Sequence, residues 1–271
     1  ARLEDFDRLA LDDEELDEIR RCAPGRCGVK LAAADLQSLT AIARTGGREW
    51  KPRLQQAFRQ MLLRRVQTFT AGGLTALDDL IDKKRPSSPA GAFAPLVAHT
   101  AFLGDRTPDL TRRLLQCAAV PPPGGESFMY WSKERLGGRP VIAVTHVVLM
   151  PPNGAGSPLL MVGAQVYASH YLDASLTVTA FLQDQPGSRP YFVYLHRSSV
   201  DLLTGFWGGI ARSIIESRAR KDGPTILHGI AERLTSGDPP NGSARHVWPR
   251  MASREQNPAA LRNCARYEID D

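Results

Sequence analysis

The triple proline of PPPGG, residues 121–125, divides this chain into two regimes, because apolar residues recur every three or four positions before it and alternate after it. Upstream, residues 1–21 read as an acidic helix ending near Pro24-Gly25, and AADLQSLTAIAR as a second helix. In REWKPRLQQAFRQMLLRRVQTF the residues Trp50, Leu54, Phe58, Met61, Leu62, Val66 and Phe69 fall on one stripe, and Gly72-Gly73 closes that helix. LTALDDLIDKK, APLVAHTAFLG and PDLTRRLLQCAAV read as shorter helices. Downstream, RPVIAVTHVVLM, SPLLMVGAQVYASHY, LDASLTVTAFLQ and RPYFVYLHRSS read as four strands, and their short connections imply an antiparallel meander.

After the strands the period returns to helical. VDLLTGFWGGIARSIIESR sets Leu203, Phe206, Trp207, Ile210 and Ile214 on one side and Arg212, Glu216 and Arg218 opposite. From Ser236 the chain turns polar and aperiodic, and reads as an extended or partly disordered tail. The fold class expected is α+β: a helical region over residues 1–120, an antiparallel sheet with a long C-terminal amphipathic helix over 126–235, and a tail over 236–271. Both faces of the strand at 141–150 are apolar, so both should be covered, one by the N-terminal helices and the other by the long helix.

Composition narrows the class. Of 271 residues, 42% are hydrophobic and 23% charged, ordinary values for a globular chain. No apolar run reaches the roughly 18–20 residues of a membrane-spanning helix. The net charge of +5 is not gathered into a basic stripe with interleaved aromatics, so nucleic acid is not an expected partner. Cys22 and Cys27 flank a Pro-Gly turn and are expected to form a disulfide, while Cys117 and Cys264 are candidates for a second. With Ala rather than Met at position 1, as after signal-peptide cleavage or trimming, this favours a periplasmic or secreted protein.

A sheet followed by one long amphipathic helix resembles the C-terminal part of the helix-grip fold, and residues 140–234 resemble the START and polyketide-cyclase-like superfamily of hydrophobic-ligand binders in element order and in the apolar character of LTGFWGGIARSIIE. The resemblance implies a largely apolar cavity between sheet and helix. Tyr130, Trp131, His170, Tyr194, Arg197, Phe206, Trp207 and Ile210 are the residues expected to line it.

The polar candidates for chemistry are His146, His170 and Asp173, with His196 nearby in the strand pattern. His170 and Asp173 would meet only if a turn intervened near Tyr171-Leu172, because residues three apart on a strand point to opposite faces. Neither HExxH, CxxC, a nucleophile elbow nor a phosphate loop is present, so no metal or cofactor is expected. Arg197 is placed to clamp an anionic group at the cavity mouth, or to pair with Asp201 or Asp173. The leading expectation is an exported carrier of a hydrophobic or amphipathic small molecule. The alternatives are an enzyme using His146, His170 and Asp173 as acid-base or metal groups, and a structural subunit of an envelope complex. An anionic membrane surface or an envelope protein is the further partner class.

Overall fold

A computed structural model describes residues 1–45, 47–100, 108–116, 124–136, 139–152, 154, 157–182, 191–200 and 246–247. The chain divides into one unit of residues 1–199 with 246–271 and another of residues 200–245. Of the second unit only Val200 is described.

The N-terminal region is helical, as its periodicity predicts. After a 3-10 turn at Leu3–Phe6 comes α1, Asp13–Arg21. Asp12 caps α1 by accepting from the Glu15 amide, while the Glu15 carboxylate returns to the Asp12 amide, and acidic residues at its start and arginines at its end suit the helix dipole. Then follow α2 (Ala33–Thr45), α3 (Trp50–Gly72), α4 (Pro89–Ala98) and α5 (Pro108–Gln116). The apolar stripe of α3 is buried from Leu54 to Phe69, and Gly73 ends the helix at φ +67°, a conformation open to glycine. α4 begins five residues before the expected stretch, because Ser88 caps it and Pro89 fits its first turn.

One expected helix is absent. Residues 74–84 form a single 3-10 turn and then run extended, Leu80 bridging both Ala32 and Ser87. Backbone pairing with two other segments outweighs the local preference of LTALDDLIDKK.

The sheet is antiparallel and its strands run β1 (Glu126–Leu136), β2 (Arg139–Met150), β3 (Leu159–Ala168), β4 (Leu172–Leu182) and β5 (Tyr191–Val200). A two-residue β6, His246–Val247, pairs with Tyr130 and Trp131, giving the order β5-β4-β3-β2-β1-β6. Four strands were expected, so ESFMYWSKERL is an addition: Tyr130 and Trp131 lie on a strand rather than before one. The charges in that stretch mask its alternation. The expected closing helix, with Phe206, Trp207 and Ile210, and Cys117 and Cys264 lie outside the described residues.

Registers divide the sheet into two faces. Met129, Trp131, Ile142, Val144, His146, Val148, Val162, Ala164, Tyr167, Leu176 and Val178 are all buried on the face that meets the helices. Tyr167 packs edge-on to Phe58 and His146 edge-on to Phe69, both of α3. A β-bulge between Val144 and Thr145 leaves Val166 without a cross-strand partner in β2, and the buried Arg65 of α3 donates to the Val166 carbonyl at 3.0 Å while stacking over Tyr167. The outward face carries Phe128, Tyr130, Thr145, Val147, Leu149, Met161, Gln165, Thr177, Phe181, Phe192 and Tyr194, and most of these are half-buried.

Cys22 and Cys27 are joined in a disulfide with Cα atoms 4.4 Å apart. The small loop they close is tied to the segment at 81–82, Gly25 donating to the Ile81 carbonyl and Cys27 to that of Asp82. Replacing both cysteines with serine is expected to lower stability by about 2 kcal/mol, the loop-closure entropy of so short a ring, read from the urea midpoint.

Candidate functional site

Polar groups collect at one end of the sheet, where β2 begins and where β3 turns into β4. Tyr171 sits in that turn with φ +62°, a left-handed conformation that a bulky residue adopts only when its surroundings impose it. The turn is the one needed to separate His170 from strand alternation.

His170 is fully enclosed, and its partners are not the expected ones. Its Nδ1 lies 2.8 Å from Ser169 Oγ and its Nε2 3.1 Å from Glu18 Oε2. Ser169 Oγ accepts from the Ile142 amide at 2.9 Å, which leaves its hydroxyl proton to donate to Nδ1; the tautomer satisfying every partner carries the ring proton on Nε2 and donates it to Glu18. Glu18 also receives Arg139 Nη1 at 2.7 Å. The His170 hydrogen bond, with Arg139 alongside, holds the Glu18 carboxyl below the usual carboxylate range against the opposing effect of burial. Gly28 makes room for this carboxylate, since a Cβ there would stand 1.7 Å from Glu18 Oε1.

Asp173 turns away from His170 and joins a second cluster. Lys30, whose side chain is 1% exposed, places Nζ 2.6 Å from Asp173 Oδ1 and 3.3 Å from Asp82 Oδ2. Lys83 reaches Asp173 Oδ2 at 2.9 Å, and the Tyr167 hydroxyl donates to the Lys30 carbonyl at 3.0 Å. Burial raises the Tyr167 phenol well above its ordinary pKa, so it remains a donor. Thus residues 30, 82, 83 and 173, remote in sequence, meet around one buried ammonium. None was singled out from the sequence except Asp173, and its partner was expected to be His170 or Arg197. Only the Cys22–Cys27 disulfide marked this region beforehand.

The three histidines do not converge. His146 lies opposite Ala164 in β3, and from there to Ala168 alone is about 13 Å at the rise of a strand, with His170 beyond it. His196 contacts Thr177, opposite Gly163 on the outward face, whereas His146 faces the helices. A single ion with bonds near 2 Å cannot join them. Among the described residues no group of three or more His, Cys, Asp or Glu could hold a metal. His146 stands in an apolar setting with Nδ1 unpartnered, and burial depresses its pKa to about 4.

The ligand-lining residues divide as well. Trp131 belongs to the helix-facing core, its Nε1 donating to the Asp5 carbonyl at 2.9 Å, so it corrects to a packing residue. Beside it Lys133 bonds the Ala10 carbonyl and Glu15 of α1. Tyr130 and Tyr194 share the outward face, while His170 is enclosed at the sheet end. Arg197 is half-buried on β5 with its Nε unpartnered.

Chemically, the serine, histidine and glutamate stand in the order of a nucleophile relay. Yet Ser169 is 1% exposed and bonded to the Ile142 backbone through both its amide and its hydroxyl, so no substrate atom can reach it. The arrangement braces α1 and the sheet end. The chain matches no family model, no curated protein and no solved structure.

Two outcomes test these assignments. Lys30→Met leaves Asp82 and Asp173 facing each other in the interior without their shared cation, and should cost about 3–5 kcal/mol in urea unfolding. For His146 the folded pKa lies below the unfolded value of 6.5, so protons bind the unfolded chain first and stability falls as pH drops from 6.5 to about 4. His146→Leu should remove on the order of 3 kcal/mol from the pH dependence in that window, measured by urea midpoints across it.

Proposed function

We propose that the protein is an exported carrier that binds a hydrophobic or amphipathic small molecule against the outward face of its sheet. One observation carries the reading. Between Arg139 and Asp173 there is no Asp, Glu, Lys or Arg, in a chain that is 23% charged, and the outward face of this uncharged stretch continues across β4 to the exposed Phe192 and Tyr194 of β5. Tyr194 is 52% exposed, and Phe192 meets Phe181 edge to face at 5.2 Å. Aromatic rings interspersed with the hydroxyls of Thr145 and Thr177 are the lining that small amphipathic ligands use, with large apolar contact and a few placed polar groups.

Among the described residues the helix-facing side is filled with side chains, which favours the outward face for a ligand. The resemblance of the sequence to helix-grip proteins in element order agrees with a ligand of this class. The Cys22–Cys27 disulfide supports an oxidising compartment, periplasmic or secreted. The enzyme alternative draws no comparable support, since His146, His170 and Asp173 are directed to three separate environments.

Native mass spectrometry and organic extraction of protein purified from an oxidising compartment should reveal a stoichiometric apolar ligand. Tyr194→Asp should reduce its occupancy roughly tenfold, because a charge is placed in the apolar contact, while leaving the thermal midpoint of the ligand-stripped protein unchanged. Protein that is consistently empty, or occupancy indifferent to Tyr194→Asp, would overturn the proposal.

A further inference from the structure

At the polar end of the sheet, an open depression of about 570 Å³ lies between the disulfide loop and the segment that follows α3, lined by Pro24, Gly25, Arg26, Ile81, Lys83 and Lys84 among others. Every charged residue lining it is a cation. Arg26 and Lys83 are moreover direct partners in an isolated antiparallel bridge, an arrangement in which like charges repel. Lys83 finds compensation in Asp173, and the buried Lys30 in Asp82 and Asp173. Two carboxylates answer those two ammonium groups, and among the described residues Arg26 and Lys84 enter no ion pair.

The repulsion cannot be relieved by spreading. The Cys22–Cys27 bond closes the loop, Gly25 and Cys27 donate to the carbonyls of Ile81 and Asp82 at 2.8 and 3.1 Å, and the loop approaches so closely that a Cβ on Gly25 would meet Lys84 Cα at 3.3 Å. Positive charge is therefore held in place across a concave surface before any ligand arrives, and a guanidinium beside an ammonium suits a tetrahedral oxyanion, the first giving a planar fork of donors and the second a compact charge.

We propose that this depression is a binding site for a phosphate-type oxyanion, held by Arg26 and Lys84 with Lys83 at its floor. It lies at the end of the sheet where β3 turns into β4, away from the Tyr191 end of β5, and stands independently of the apolar-ligand reading. Binding to the folded state raises the thermal midpoint by linkage, and the anion discharges a repulsion built into the fold.

The test uses the oxidised full chain. Inorganic phosphate, titrated against sodium chloride at equal ionic strength, should raise the thermal midpoint saturably. In a second arm the protein is cosedimented with phosphatidylglycerol vesicles and with phosphatidylcholine vesicles. Arg26→Gln and Lys84→Gln, both exposed side chains, should each weaken binding roughly tenfold without lowering the urea midpoint of the anion-free protein, whereas Tyr194→Asp should leave binding untouched. A saturable response to free phosphate supports a site for soluble phosphorylated compounds. Retention on phosphatidylglycerol alone, lost in the same two variants, supports a lipid headgroup as the source of the oxyanion. Absence of both responses, or responses equal in wild type and both variants, would overturn the proposal.

Discussion

An ammonium withdrawn from water must be met by counter-charge, and that requirement at Lys30 organises the polar end of the molecule. Its partners come from an extended segment that follows α3 and from the first residues of β4. The cluster therefore joins three stretches of chain that share no secondary structure. The carbonyl of the same lysine is held by Tyr167, whose ring is flanked by Phe58 and Arg65 of α3. Side chain and backbone of one residue thus connect the disulfide loop to the helical layer and the sheet. Replacement of such a pair by apolar residues is often neutral or stabilising in other proteins, so its role here is read as specifying which segments meet rather than as a source of stability.

The helical layer and the sheet illustrate how much a one-dimensional pattern contains. The stripe from Leu54 to Phe69 on α3 and the alternation in β4 were legible because burial on one face leaves a period behind. β1 was not, because Lys133 and Glu134 interrupt its pattern, and Lys133 is charged for a reason outside the strand, namely Glu15 of α1. The extended run after Leu74 was misread as helix for a related reason: its partners, Ala32 and Arg26, lie some fifty residues away. The His170 environment follows the same rule. A turn at Tyr171 could be foreseen as a condition, whereas Glu18 as the histidine's partner, 152 residues distant, leaves no mark in the local sequence.

The two ends of the sheet differ in chemistry. Where β3 turns into β4, Ser169, His170 and Glu18 form a continuous chain, and Lys30 bridges Asp82 and Asp173. At the start of β5 the side chains are aromatic or branched and face water. Between these two ends the helix-facing interior is filled with buried side chains. Within it His146 is kept uncharged near neutral pH by its surroundings.

The bulge opposite Val144 carries a further consequence for how this sequence can change. Because neighbouring residues in a strand look in opposite directions, the extra residue at Val166 reverses the parity of β3 partway along its length. It allows Tyr167 on one side of the bulge and Ala164 with Val162 on the other to enter the same interior. Removing a single residue there would turn one half of the strand inside out, and adding one would do the same. The length of β3 is therefore free to drift only in steps of two, or together with Arg65, whose guanidinium occupies the carbonyl that the irregularity leaves over.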